Sequence, residues 1–207
     1  MIGSFQKQLH VNVLPAFSFD GRPRLRETDL EEVVRTVESV LPQYVKGDID
    51  LTITLLEKNL KIMADMALMR ETLTRLIENA MDEVPGYGKF SLTVNQVNFE
   101  IESLLNGDDS IIGACAFISL AGGVVDICVD HKIKEKIFEP FFTTKTDGNG
   151  PGLAIAYHIT KRHRGRIKAE NKSGGQSTEI NLYLPLTRLE IVSMMLIPLG
   201  TFHGRIH

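Results

Sequence analysis

Apolar positions in the first third of the chain repeat with helical spacing, switch to alternation, and then return to helical spacing. Leu30, Val33, Val34, Val37 and Leu41 recur at intervals of three and four, which predicts an amphipathic helix. Thr28 stands ahead of them with Glu31 three residues on, the spacing of a capping box with Thr28 at the cap. Residues 50–55 alternate as a half-buried strand does, and 59–63 read as its hairpin partner. A second stripe, Leu73, Leu76, Ile77, Ala80, Met81 and Val84, predicts a helix over 65–83, capped by Asp65 and ended by Pro85 and Gly86. Before these elements, 1–16 has a weak helical period. Residues 17–27, with Asp20, Gly21 and Pro23, read as a linker.

Further along, strands are expected near 89–97 and 115–120, with Asn106, Gly107, Asp108 and Asp109 as the turn between them. Residues 132–138 predict a short helix. A longer one follows Gly152 and ends near Arg164 and Gly165. Two strands, 166–170 and 178–184, are joined by a Ser- and Gly-containing turn over 171–175. The sum is an α+β fold: a two-layer sandwich of a mixed sheet of about five strands with three helices on one face. There is no internal repeat, and residues 187–207 form an apolar tail that such a sandwich does not require.

A chain of 207 residues holds one good core, or one domain with an appendage. The formal net charge of −3 gives no reason to expect nucleic acid as a partner. Cys115 and Cys128 are too few for a disulfide scaffold and read as reduced, buried thiols. No signal peptide is recognised, and the most apolar run, 191–200, falls well short of the roughly 20 residues that span a bilayer. A cytoplasmic location is expected, with membrane attachment of a longer protein left open.

Candidate chemistry concentrates in two places. Gly148, Gly150 and Gly152 precede Leu153 and a helix start, and a Gly-rich turn feeding a helix is a ready anion cradle. On the 65–83 helix, Arg75, Asn79, Asp82 and Glu83 fall together on a face away from the apolar stripe. A neutral side-chain oxygen such as that of Asn79 suits a hard cation shared with phosphates. A plain solvated face, with Glu71 and Arg75 as an ion pair, is the competing reading.

The order of motifs from Phe138 to Leu153 resembles the lid and second glycine box of the histidine-kinase ATPase module, in the GHKL superfamily. The lid motif is Phe138, Glu139, Pro140, Phe141, Phe142, Thr143, Thr144 and Lys145. Leu76 to Asp82 is similar to that family's Asn box, and Ser177 to Pro185 to its last strand. The resemblance covers about 24–186 and implies a Bergerat-type fold binding ATP with Mg²⁺. It implies Asn79 on the metal, Lys145 on a terminal phosphate, and Gly148, Gly150, Gly152 and Leu153 around the phosphates. Thr178 takes the position of the Thr near the adenine, and Asp82 lies on the Asn79 face. Phe138, Phe141 and Phe142 read as apolar anchors for the lid.

The chain departs from the pattern at three points. The first glycine box, D-x-G-x-G, is out of register: its Asp position falls on Val124, and its glycines on Asp126 and Cys128. Asp126 reads the base only if two residues are lost from the loop. Arg75 stands where the family has a second Asn, and Pro151 stands between the glycines, at a helix start that tolerates it.

The family pairs this module with a helical dimerisation and phosphoacceptor hairpin, a homodimer and a response regulator. Residues 1–23 then read as the end of that hairpin and its linker, 24–186 as the ATP-binding domain and 187–207 as a tail of unassigned role. His10 lacks the acidic neighbour of an acceptor histidine. The expected function is ATP-dependent histidine phosphorylation on a separate helical domain, with no catalytic side chain assigned. The runner-up is a degenerate module that docks a partner protein, and a GHKL ATPase without kinase activity ranks third.

Overall fold

The computed structural model describes residues 22–45, 47–82, 87–99, 111, 113–123, 134, 136–140, 142, 151–171 and 178–187. In chain order its elements are β1 (Arg26–Asp29), α1 (Leu30–Glu38), a 3-10 turn (Leu41–Gln43), β2 (Asp48–Leu55), β3 (Lys61–Ala64), α2 (Met66–Asp82), β4 (Tyr87–Phe99) and β5 (Gly113–Gly123). A second 3-10 turn (Lys136–Phe138), α3 (Pro151–Arg162), β6 (Arg166–Asn171) and β7 (Thr178–Pro185) complete them.

Five strands form one sheet in the order β2-β4-β5-β7-β6. β2 runs parallel to β4, as a pair joined through an intervening helix must. The other neighbours are antiparallel, so the sheet is mixed. Strand side chains alternate between faces, and the register lines up one apolar set: Ile53, Leu92 and Leu120, then Val94, Ile118 and Leu182. These share a core cluster with Val33 and Val37 of α1, Leu73, Leu76 and Ile77 of α2, and Ala156 of α3. The three helices therefore cover one face of the sheet.

The helices expected after Thr28, over 65–83 and after Gly152 hold, and Leu30, Val33, Val34, Val37, Leu41, Leu73, Leu76, Ile77 and Met81 of the predicted stripes are buried. Asp65 caps α2 as expected, its Oδ1 accepting from the N–H groups of Ala67 and Leu68 at 3.2 and 3.3 Å. At α1 the cap is Asp29, which accepts from Glu31 N–H at 2.9 Å, rather than Thr28. Thr28 is drawn away because it belongs to a strand. Its hydroxyl points to the carbonyls of Arg26 (3.0 Å) and Ala64 (3.4 Å).

That strand also takes the last two residues of the linker expected over 17–27. Arg26–Asp29 pairs with Lys61–Ala64 in a separate two-stranded sheet. The partner anticipated for 50–55 is thus taken by β1, and β2 finds β4 instead. Asn59, with a φ of 58°, lies in the turn between β2 and β3. Strands β4 and β5 outrun their predicted ends because long antiparallel pairing, from Lys89 opposite Gly123 to Phe99 opposite Gly113, carries polar residues along. Of the helix expected over 132–138, Lys134 is helical and Lys136–Phe138 form a 3-10 turn. The turn at 106–109 and the stop at Pro85 and Gly86 lie outside the described residues.

Gly122 is fixed by close packing. It sits directly opposite Phe90, and a Cβ built on it would lie 2.6 Å from Phe90 Cδ2. The fully buried Phe90 ring lies across the glycine. Gly122→Ala should therefore cost about 1–3 kcal/mol, the usual cost of overpacking. Urea unfolding checks this, and in a Phe90→Leu background the same substitution should cost clearly less, because the two positions are coupled.

Candidate functional site

Helices α2 and α3 pack antiparallel, and their direction builds the site. Near the start of α2, Leu68 packs with Ile155 and Ile159 of α3. Asp65, just before α2, meets His163, just after α3: its backbone N–H donates to His163 Nε2 at 3.0 Å. Running the other way, the last turns of α2, with Asn79, approach the start of α3. Thr72 and Thr160, both fully buried, turn their hydroxyls back onto the carbonyls of Leu68 and Ala156 and bring only small methyl-bearing surfaces to the helix packing.

His163 is buried and held at both ring nitrogens. Nε2 accepts from Asp65, so Nδ1 carries the proton and donates to the Ile159 carbonyl at 2.8 Å. Burial holds its pKa below the ordinary 6.5, against opposing pulls from the Ile159 carbonyl and the Asp65 carboxylate; Arg162 lowers it further. Asp65 in turn bonds Arg24 N–H through Oδ2 at 2.9 Å. Burial pushes the Asp65 carboxyl up, but the N–H donors of Arg24, Leu68 and Ala67, with His163, outweigh it and leave the pKa low. No sequence signal flagged this link: the partners stand 98 positions apart, and the histidines read as scattered.

After α3 the chain turns back at once. Arg164 takes the left-handed position, φ 57°, and Gly165 N–H closes the helix end onto the Thr160 carbonyl at 2.9 Å. Gly165 is needed for space: a Cβ there would stand 2.7 Å from the Tyr183 carbonyl. β6 therefore runs back beneath α3 and ends at Asn171, at the same end as the start of α3.

Thr178 begins β7 opposite Asn171. It shares the parity of Ile180 and Leu182, so it lies on the helix-covered face, and its hydroxyl donates to Asn171 Oδ1 at 3.3 Å. It lies one step beyond the Ala121–Glu179 pair, at the end where β5 runs out toward 124–130. Asn79, Gly152, Leu153 and Thr178 thus all belong to one end of the sandwich. Leu153 packs on the core, and among the described residues a Cβ on Gly152 would meet nothing within 4 Å.

Arg75 is engaged along its own helix. Its guanidinium contacts Glu71 at 2.9 Å and Glu78 at 3.1 Å. Phe138 is buried and stacks on Tyr157 of α3, centroids 5.7 Å apart, with Lys161 Nζ over the other ring at 5.6 Å from its centroid. That matches the anchoring role expected of Phe138. Gly122 of the Gly122–Gly123 pair is used within β5 to seat Phe90. Asp126, Lys145, Gly148, Gly150, Phe141, Cys128, His10 and the side chain of Asp82 lie outside the described residues. Among the described residues no group of three or more His, Cys, Asp or Glu is placed to hold a metal ion. No helix among them is long and apolar enough to cross a membrane.

Comparison with known proteins agrees with this geometry. Residues 64–188 match the family model for histidine kinase-, DNA gyrase B- and HSP90-like ATPases. Among curated relatives, sensor kinase CckA of Brucella abortus (strain 2308) is 29% identical over 177 residues, 84% of this chain and 18% of that protein. The signal transduction histidine-protein kinase AtoS of Escherichia coli K12 is 26% identical over 85% of this chain and 26% of its own length. The chain thus spans only a fraction of the curated relatives it matches. Among solved structures, the nucleotide-free catalytic domain of histidine kinase ThkA superposes with a TM-score of 0.60 at 27% identity, covering 78% of this chain and 95% of that one. Full-length ShkA in complex with AMPPNP shares the fold, with a TM-score of 0.64 at 23% identity, over 86% of this chain and 35% of its own.

The buried histidine makes stability depend on pH. Its folded pKa lies below 6.5, so near and below that value the unfolded chain binds a proton that the folded chain refuses. The contribution is fully present above about pH 6.5 and is lost as pH falls. Urea midpoints measured from pH 7.5 down to 5.5 should decline, and His163→Gln, whose amide oxygen can accept the Asp65 N–H, should flatten that decline.

Proposed function

The chain belongs to the histidine kinase-, DNA gyrase B- and HSP90-like ATPase family, and on that premise we propose that it is the ATP-binding catalytic module of a two-component sensor histidine kinase. The observation that supports this reading is the gathering of Asn79, Gly152, Leu153 and Thr178 at one end of the sandwich, where α3 begins. The described residues fit the phosphate side of a nucleotide. A Cβ on Gly152 would meet nothing within 4 Å among the described residues, and a helix start favours an anion.

Bound ATP supplies the phosphoryl group, whose γ-phosphorus–oxygen bond to ADP breaks as a bond to an imidazole nitrogen of the acceptor histidine forms. The residues here position and neutralise. Asn79 offers a neutral oxygen to Mg²⁺, and Lys145 holds a terminal phosphate. Gly148, Gly150 and Gly152 keep the backbone open beside the phosphates, with Leu153 bedding the helix start against the core. Thr178 and Asp126 serve the base end, and Asp82 stands on the Asn79 side of α2. Arg75 is already paired with Glu71 and Glu78, which leaves charge compensation at the phosphates to a cation that Asn79 would hold. The acceptor histidine sits on a separate helical dimerisation domain, and a response regulator takes the phosphoryl group onward. Residues 1–23 connect to that domain, and the module works on the cytoplasmic side. Relatives named as sensor kinases favour this active reading over a docking module.

Calorimetric titration with ATP, with and without Mg²⁺, tests the assignment. Wild-type chain should bind more tightly with Mg²⁺, and Asn79→Ala should remove that difference; an unchanged difference would take Asn79 off the metal. Gly152→Ala separates site from fold. It should hold or raise stability, by up to about 1 kcal/mol from helix propensity, while weakening ATP binding. No heat at millimolar nucleotide would return the module to a docking role.

A further inference from the structure

Where α2 and α3 touch, the surfaces are smooth. Leu68, Ile155 and Ile159 meet as apolar side chains. Thr72 and Thr160 turn their hydroxyls onto the carbonyls of Leu68 and Ala156 in their own helices, at 3.0 and 2.7 Å. Apolar contact is non-directional. It holds two helices side by side but fixes their register along the common axis only weakly. A hydrogen bond is directional and keeps its length within a narrow range.

One such bond joins the cap of α2 to the residue just past α3, from Asp65 N–H to His163 Nε2 at 3.0 Å. Each of its ends is fixed to a sheet. Asp65 directly follows Ala64, which is buried and stands opposite Arg26 in the β1–β3 pair. Ile62 of the same strand bridges to Leu186, just past β7. Asp65 Oδ2 also takes the Arg24 N–H at 2.9 Å, which ties the approach to β1 to the same point. On the other side, His163 is followed by the tight turn at Arg164 and Gly165, where a Cβ on Gly165 would come within 2.7 Å of the Tyr183 carbonyl of β7. The buried imidazole is itself oriented by the Ile159 carbonyl, 2.8 Å from Nδ1.

A helix is stiff along its axis. A slide of one helix past the other at this end therefore appears undiminished at the far end. Asn79 lies roughly 20 Å along α2 from Asp65, at a rise of about 1.5 Å per residue. A misplacement of about 1 Å caused far from the chemistry can cost on the order of a hundredfold.

Resting on the nucleotide-site reading above, we propose that His163 is a positioning residue for that site. Its acceptor nitrogen sets the axial register of α3 against α2, and with it the placing of Gly152 and Leu153 relative to Asn79. A buried side chain at one end of the helix pair thereby governs affinity at the other.

Two variants of the full chain test this. His163→Ala removes the acceptor, whereas His163→Gln keeps an acceptor oxygen for the Asp65 N–H. Titrated with Mg²⁺ and ATP well below the melting temperature of each chain, His163→Ala should bind roughly two- to thirtyfold more weakly than wild type. His163→Gln should recover most of that loss. Equal affinity in all three chains, with His163→Ala merely melting lower, would overturn the proposal, and so would a loss that Gln does not recover. The nucleotide-free chain gives a readout that does not depend on ATP. Amide resonances of 76–81 should move in His163→Ala and hold their wild-type positions in His163→Gln. Changes confined to 65–69 and 159–165 would overturn the proposal. A wild-type chain that gives no heat with ATP would remove the nucleotide reading, and the amide resonances would then decide the register alone.

Discussion

The antiparallel seating of α2 on α3 is the constraint on which the rest depends. Asn79 sits on one helix and Gly152 and Leu153 on the other, and neither helix alone brings them near Thr178. The seating is secured at the far end from the site. A neutral imidazole joins the cap of α2 to the tail of α3, and Asp65 simultaneously caps its helix and takes the Arg24 amide. Buried Leu68, Ile155 and Ile159 complete the contact. The His163–Asp65 link and the candidate site lie at opposite ends of this helix pair.

Much of the fold was legible because its elements carry their own period. The stripe through Leu30, Val33, Val34 and Val37, and that through Leu73, Leu76 and Ile77, each state a buried face in one segment of sequence. What escaped was pairing. Nothing local in 26–29 declares a strand, since Arg26, Glu27, Thr28 and Asp29 are polar and their order comes from a partner over thirty residues away. The same holds for the cap of α1: Thr28 and Asp29 are both good capping residues, and only the strand register decides between them.

The candidate site was legible in a different way. Asn79, Gly152, Leu153 and Thr178 were picked out through resemblance to a motif order, and topology then brings them to one end. The His163–Asp65 link, which aligns those helices, has no motif at all. Gly122 is instructive for the opposite reason. It lies two residues before Val124, where the first glycine box would begin, and its lack of a side chain serves Phe90 across the strand. Glycines in a run before a binding loop are not interchangeable evidence, since one of them answers to the sheet.

The strand order also sets a schedule for synthesis. β5 is central, with β4 on one side and β7 on the other, but β7 begins only at Thr178. While the nascent chain emerges, the β7-facing edge of β5, with Phe117 and Ile118 along it, waits without its partner. At ribosomal speeds of about 5–20 residues per second, the intervening stretch takes several seconds to arrive. A long apolar strand edge left open for that time is an invitation to other chains. The fold is thus most vulnerable before it is complete, and its yield in a cell depends as much on the lag between β5 and β7 as on the stability of the finished sheet.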